Sequence, residues 1–388
     1  MTYAPRDSRP PPPRKGRPWL IASPLIAVLI LAALWTAFWF YAAARANTAI
    51  AEWRTREAQA GRSFTCASQS IGGFPFRLEV ECGEPNFELQ NLVPPTLLAA
   101  KQAKVVAQVY DPTLLIGEFA GPMLVGEAGK PASMSANWSL LQTSVRGLPG
   151  TPERASIVVE NPEFSRAARA AMEPVAGAKH LEIHGRALPR AANDTAAAEL
   201  YIRLAAASAP AIHQSLVRPT DADIGIVVTG LRDLAPKPWI VHLRDLADTK
   251  GQIEIKQARL SQADILATGA GALTISPDGL LNGQITLTVV GLDKLMNLLG
   301  LEEAVTQYLA QRGGGLNMDR ITCGLDRLLP GLGGAVRGNT GNIAAAGIAM
   351  LGEPRELEGK KAIGLPLRFA DGNVFLGPLQ VGRMSPLF

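Results

Sequence analysis

The chain has 388 residues, room for one large domain or two ordinary ones, and its 47% hydrophobic against 19% charged content excludes wholesale disorder. The net charge of +4 sits in the tail. Arg6, Arg9, Arg14, Lys15 and Arg17 stand there against Asp7, leaving 33 basic and 33 acidic residues in the rest of the chain. A balanced body offers no field for a phosphate backbone, so composition speaks against nucleic acid as a partner.

Residues 1–18 read as a basic disordered tail, with a proline run at Pro10–Pro13. From Trp19 to Ala44 the chain then runs 26 residues without a charge. A helix needs about 20 apolar residues to cross a bilayer, so this stretch is predicted to span one. Trp19 marks its start, and Trp35, Trp39 and Tyr41 are amphipathic rings suited to the opposite headgroup boundary. Basic residues precede the span with no comparable cluster after it, which puts the N-terminus in the cytoplasm and residues 46–388 outside. Small residues at Ala42–Ala46 leave a second reading open, a cleaved secretory signal; its apolar region would be shorter, about 7–15 residues. Either way the body is exported.

Residues 45–62 read as a juxtamembrane helix, and a β-rich domain is expected over 63–388. In its first strand Phe74, Phe76, Leu78, Val80 and Cys82 alternate with Arg77, Glu79 and Glu81, giving one buried face. Similar runs follow at Lys104–Tyr110, Ser135–Ser144, Ser156–Glu160, His180–Gly185, Glu199–Ala206, Ile224–Thr229 and Gly251–Leu260. They recur at Gly271–Ile275, Leu280–Val290, Leu365–Phe369 and Asn373–Val381. Turn signals such as Ser276-Pro277-Asp278-Gly279 and Asp371-Gly372 separate several of them. Without regular intervening helices, the fold class is mainly β (α+β): a large twisted antiparallel sheet with a few packed helices. Those helices are expected at Ser165–Val175 and Asp293–Gln311, with a loose Gly-rich stretch at Gly331–Gly347 and a subdivision near 207–222.

Cys66 and Cys82 flank a turn at Gly72-Gly73 that can bring their sulfurs together. The alternatives are a disulfide, in an oxidising compartment, or two separate buried thiols. Thr268–Leu299 reads as strand, tight turn, strand and helix, with Ile285, Leu287 and Val289 lining one face. A curved sheet closed by a helix makes a concavity able to hold acyl chains; the alternative is that these side chains fill the core.

No constellation points to catalysis. There is no Gly-x-Ser-x-Gly elbow, Ser-x-x-Lys, CxxC or P-loop. His180 and His184 flank Glu182 in strand-like sequence, which reads as a solvated face rather than a metal site, and His213 and His242 have no partner in spacing. No catalytic, cofactor or metal residue is assigned.

The basic tail and anchor, Gly73-Phe74-Pro75-Phe76-Arg77-Leu78 followed by Cys82, the Thr268–Leu299 segment and the ending Asp371–Gly382 together resemble an uncharacterised bacterial family, domain of unknown function 2125. The family is similar, more distantly, to AsmA-like envelope proteins associated with outer-membrane biogenesis and lipid movement. The resemblance implies an inner-membrane-anchored periplasmic protein and carries over no site residues. The expected function is non-enzymatic envelope maintenance, with the bilayer as partner and either an apolar ligand such as lipid or other envelope proteins bound by the body. The alternative is a periplasmic hydrolase or hydrolase regulator whose site is assembled from distant residues.

Overall fold

A computed structural model describes residues 18–388 apart from 149, 169–170, 191–194, 213, 236–237, 300–351 and 378. A single helix, α1 (Pro18–Gln59), unites the predicted span with the predicted juxtamembrane helix and is long and apolar enough to cross a membrane. Strands β1 (Arg62–Thr65), β2 (Ser68–Gly72), β3 (Arg77–Gly83), β4 (Asn86–Leu89), β5 (Thr96–Ala99), β6 (Gln102–Gln108) and β7 (Asp111–Ala120) follow. Next come β8 (Met123–Glu127), β9 (Met134–Asn137), β10 (Leu140–Arg146), β11 (Arg154–Glu160), β12 (Glu163–Ala168), β13 (Ala171–Gly177), β14 (His180–Leu188) and β15 (Ala196–Ala207). The remainder comprises β16 (Thr220–Leu231), α2 (Trp239–Thr249), β17 (Gln252–Gln262), β18 (Ile265–Ile275), β19 (Leu281–Val290) and α3 (Leu292–Leu299). It ends with β20 (Glu353–Leu357), β21 (Lys360–Ala370), β22 (Asn373–Leu376) and β23 (Leu379–Arg383).

Two antiparallel sheets result. The smaller has the order β1-β4-β5-β8-β9-β12-β13. The larger, of 16 strands, begins β2-β3-β6-β7-β10-β11-β14-β15 and continues through β16 to β23, with β20 added along β21. The chain steps from the larger sheet to the smaller and back, so the two carry matching strand orders on either side of a crease. Each outward step holds a proline: Glu84-Pro85, Gly121-Pro122 and Asn161-Pro162. Proline removes a ladder N–H and restricts the residue before it, which interrupts a strand. Glu84 and Asn161 take positive φ, 47° and 49°, to make the bend. The return steps have no proline. At one of them the Trp138 indole N–H donates to the Phe119 carbonyl at 2.7 Å and pins the crossing.

Several expectations are corrected. Ser165–Val175 is not a helix but lies within the β12–β13 hairpin, where β12 pairs with β9; pairing across the sheet overrides the helical preference of its alanines. Ser135–Ser144 is two strands broken at Trp138-Ser139. Phe74 and Phe76 do not continue the β3 face; they sit in the turn before it, 52% and 62% exposed. Helix α2 is unpredicted, and α3 starts where the 293–311 helix was expected, the rest of that helix and Gly331–Gly347 lying outside the described residues. Across 207–222, β15 and β16 stay paired, so the sheet is continuous there.

Two buried clusters form the core, both toward the later strands. One gathers Val289, Leu292, Leu365 and Leu376 beneath α3. The other gathers Ala196, Leu231, Leu246, Ala247 and Ile275 beneath α2, with Leu387 and Phe388 at the chain end packed against it. Gly251 allows α2 to turn straight into β17: a Cβ there would stand 2.5 Å from Leu246 and 2.6 Å from the Thr229 carbonyl.

Candidate functional site

Directly opposed residues in an antiparallel sheet share a face, so the register shows what each face presents. One row of the larger sheet runs Val80, Val105, Gly117, Thr143, then Ile157, Ile183, Ile202 and Ile224. Toward the crease the parallel row includes Val159, Leu181 and Leu204; toward the turns it includes Leu78, Leu115, Val145, Leu200 and Ile226. The alternation read along β3 therefore extends sideways into a broad aliphatic face.

This face is covered unevenly. At one end α1 lies over β1 and β2: Trp53 packs on Phe64 with ring centroids 5.3 Å apart, and Gln69 bonds both Arg54 and Asn47. At the other end α2 and α3 close it. Between them, over β6 to β14, no described helix packs on the aliphatic rows, and Ile157 is 39% exposed. The residues singled out from sequence, Ile285, Leu287 and Val289, share this face but belong to its closed end. Ile285 and Val289 are buried, Val289 and Leu287 in the cluster under α3, so that stretch is filled and the open stretch lies on earlier strands. The signal that finds the earlier stretch is the row through Ile157 and Ile183, continued by Ile202, which needs the register to be seen.

The body is tied to α1 at the β2–β3 turn. The Trp35 indole N–H donates to the Pro75 carbonyl and the Trp39 indole N–H to the Arg77 carbonyl, each at 2.9 Å. Trp39 is buried against Phe74, while Tyr41 is exposed. The side chain of Trp19 lies outside the described residues. Cys66 and Cys82 are disulfide-bonded, with Cα atoms 5.4 Å apart, closing the β2–β3 hairpin at its other end.

One comparison assigns the chain to a family. A family model, "Uncharacterized protein conserved in bacteria (DUF2125)", matches residues 39–385. The chain belongs to the DUF2125 family. Its match starts at Trp39, so it takes in the second half of α1 with the entire body. Among curated proteins and among solved structures no match is found, so the more distant AsmA-like resemblance gains no support from them.

The opposite face of this DUF2125 sheet is charged and cross-linked. Lys104 reaches Glu79 at 3.1 Å and Glu81 at 3.3 Å, Arg186 pairs with Glu199, and Arg203 with Asp223. His180 is held between two carboxylates, Nδ1 to Glu160 at 2.8 Å and Nε2 to Glu182 at 2.9 Å. The bond to Glu182 outweighs partial burial and, with Glu160, raises the His180 pKa; the same bond to His180 lowers that of Glu182. His184 sits 2.9 Å from Ser156 Oγ and 3.6 Å from Glu182, stacked on Tyr201. This trio has the composition of a nucleophile, base and orienting acid. It lies mid-strand where Ser156 and His184 oppose each other in the ladder, outside two cavities of the described residues. Those cavities, about 560 Å³ beside Gln262 and Lys294 and about 340 Å³ beside Leu188 and Leu234, contain no histidine. Backbone N–H groups engaged in a ladder cannot stabilise an oxyanion. His242 lies on α2 with Nδ1 buried and without a hydrogen bond; His213 lies outside the described residues. Among the described residues no group of three His, Cys, Asp or Glu could hold a metal ion.

Proposed function

We propose that the chain is a single-pass protein of a bacterial inner membrane, with its N-terminus cytoplasmic and its β-rich body in the periplasm. There it serves envelope maintenance without catalysis, by binding or passing on a lipid or another apolar ligand. The observation that carries the reading is the uncharged aliphatic row through Ile157, Ile183 and Ile202, part-exposed with Ile157 at 39% and covered by no described helix, on a sheet bounded at one end by the apolar helix. A contiguous apolar patch of that kind on a polar-backed sheet marks an interaction surface. Its ligand is apolar because the rows present no charge across Ile157, Ile183, Ile202 and Ile224.

Several features support the anchor and the compartment. The five basic residues before the span favour a cytoplasmic tail, and a disulfide fits an oxidising compartment. Retention of the helix is supported by Trp35 and Trp39. Cleavage within Ala42–Ala46 would remove both indole donors and uncover Phe74, and would cut inside the segment that the family model matches.

Native mass spectrometry of the full chain extracted from membranes tests the ligand, together with photolabelling by a diazirine fatty acid. Retained lipid, with labelling on β11, β14 and β15, is expected. No retained lipid and no labelling removes the carrier reading. A stable protein partner cross-linked to the same strands in intact envelopes would make the face a scaffold for other envelope proteins. Topology is tested separately by a reporter active only in the cytoplasm, fused after Phe388, which is expected to be inactive. The hydrolase reading rests on the Ser156–His184 contact alone. It requires ester or amide hydrolysis by the purified chain that Ser156→Ala abolishes, and no such activity is expected.

A further inference from the structure

Resting on the membrane reading above, we infer that the β2–β3 turn, Phe74-Pro75-Phe76, together with Tyr110 at the neighbouring β6–β7 turn, is immersed in the boundary layer of the bilayer that α1 crosses. The body would then touch that bilayer directly, and its aliphatic face would open into it.

Depth is the first argument. A span of about 20 residues beginning at Trp19 ends near residue 39. Trp35 and Trp39 therefore lie at or just inside the hydrocarbon boundary, and the Pro75 and Arg77 carbonyls bonded to them lie at the same level. Val109 N–H donates to the Phe76 carbonyl at 3.0 Å, which brings Tyr110 to that level as well.

The exposed surface is the second. Phe74, Phe76 and Tyr110 are 52%, 62% and 69% exposed, next to Phe40 and Tyr41 of α1 at 62% and 63%. Phe74 packs against Trp39 and Phe40, and Phe76 against Trp35, so both phenylalanines of the turn share ring contacts with the helix. Aromatic rings of this kind favour the headgroup boundary over water. Charge resumes immediately beyond, where Arg77 pairs with Glu79 at 2.5 Å.

The third is the state of the turn's backbone. Irregular backbone is tolerated at membrane depth to the extent that its polar groups are satisfied within the protein, and four carbonyls of this turn are. Gly73 C=O accepts from Arg77 N–H, Pro75 C=O from Trp35, Phe76 C=O from Val109 N–H and Arg77 C=O from Trp39, while Pro75 has no N–H to satisfy. Two of these four carbonyls are satisfied by indoles of the spanning helix itself. The β4–β5 turn of the smaller sheet is different. There Val93 is 99% exposed in a loop without an aromatic residue.

The consequence for the proposed ligand is a route. Leu78, two residues past Phe76, opens the row that continues through Ala107, Leu115 and Val145. An acyl chain leaving the bilayer beside the turn meets this row first, without crossing water.

The test places a benzophenone amino acid singly at Phe76, Tyr110, Leu29 and Val93 of the full chain. Each variant is reconstituted in vesicles of phosphatidylethanolamine and phosphatidylglycerol and irradiated, and lipid adducts are counted by mass spectrometry. Phe76 and Tyr110 are expected to match Leu29 and to exceed Val93 on the order of tenfold. If Leu29 forms adducts while Phe76 and Tyr110 stay at the Val93 level, the inference is overturned and the anchor stands. If Leu29 also stays at that level, the membrane reading falls and the inference with it.

Discussion

The larger sheet carries the same aliphatic face from β3 to β21, yet helices pack on only one of its two halves beyond α1. Over β16 to β21 the residues under α3 are buried, Leu365 to 1% exposure and Val289 to 2%, while Leu260 on the same face is 41% exposed. Over β6 to β14, where no described helix follows a strand, Ile157 is 39% exposed, while Ala103 and Val159 nearer the crease are 7% and 6% exposed. The side chains do not account for this, since both halves present Ile, Leu and Val in register. Connections do. In the later half β16 is followed by α2 and β19 by α3, helices that fold back over the face their strands have just built. In the earlier half each strand leads into a turn or a step across the crease, and no described helix follows a strand there. Period-two alternation specifies an apolar face; whether that face becomes a core or a surface depends on what the chain places between strands.

The strongest way to break this comparison is a matched pair of truncations. Leu365→Ala leaves a cavity in a packed cluster and is expected to cost about 2–5 kcal/mol in urea unfolding of the full chain in mild detergent. Ile157→Ala removes a side chain that is 39% exposed and is expected to cost about 1 kcal/mol or less. Equal costs would mean that the two halves are packed alike. Next in size is the disulfide. Replacing Cys66 and Cys82 together by serine frees a 16-residue separation at the end of the sheet nearest α1, expected to lower stability by about 3 kcal/mol. Ile202→Asn sharpens the functional side. On an open face it is expected to change stability by about 1 kcal/mol or less while abolishing labelling by the apolar photoprobe. Destabilisation as large as that of Leu365→Ala would show Ile202 to be core instead.

How much of this was readable in the sequence follows from which signals are local. The membrane-length helix, the β3 alternation at Leu78, Val80 and Cys82 and the Cys66–Cys82 separation are local, and each has a counterpart in the structure. The crease was legible only as a repeat. Pro85, Pro122 and Pro162 recur 37 and 40 positions apart, each after a bend-forming or small residue, and mark the outward steps. The return steps, such as Trp138-Ser139, carry no punctuation, which is why Ser135–Ser144 reads as one strand. Residues 165–175 mislead because alanine favours helix locally, whereas the edge of β9 decides the outcome. In α2 the helical spacing of Leu243, Leu246 and Ala247 was present, bounded by Pro238 and Lys250-Gly251, but short enough to pass for a loop between strands. The open face required the register itself, since Ile157, Ile183 and Ile202 lie on strands whose separate alternation says nothing about their neighbours.

The smallest expected effect lies on the opposite, charged face, and it separates the two faces by their response to pH. His180 bridges Glu160 and Glu182, with His184 and Ser156 alongside. Its pKa is raised in the folded chain, mainly by the Glu182 bond, from an ordinary value of 6.5. Folding therefore stabilises the imidazolium. That contribution is fully present below 6.5 and disappears as pH rises through the higher folded value. The Glu182 pKa is lowered from 4.5, so its share is present above 4.5 and is lost on acidification through the lower folded value. Together they define a window between the two ordinary values in which the bridge is complete. His180→Gln is thus expected to cost less than about 1 kcal/mol at pH values inside that window and nothing measurable at strongly alkaline pH. Urea unfolding of both chains across this range checks the sign. A penalty that stays constant with pH would make His180 a packing residue. Ile157→Ala, by contrast, should show no pH dependence, because nothing on the aliphatic face titrates.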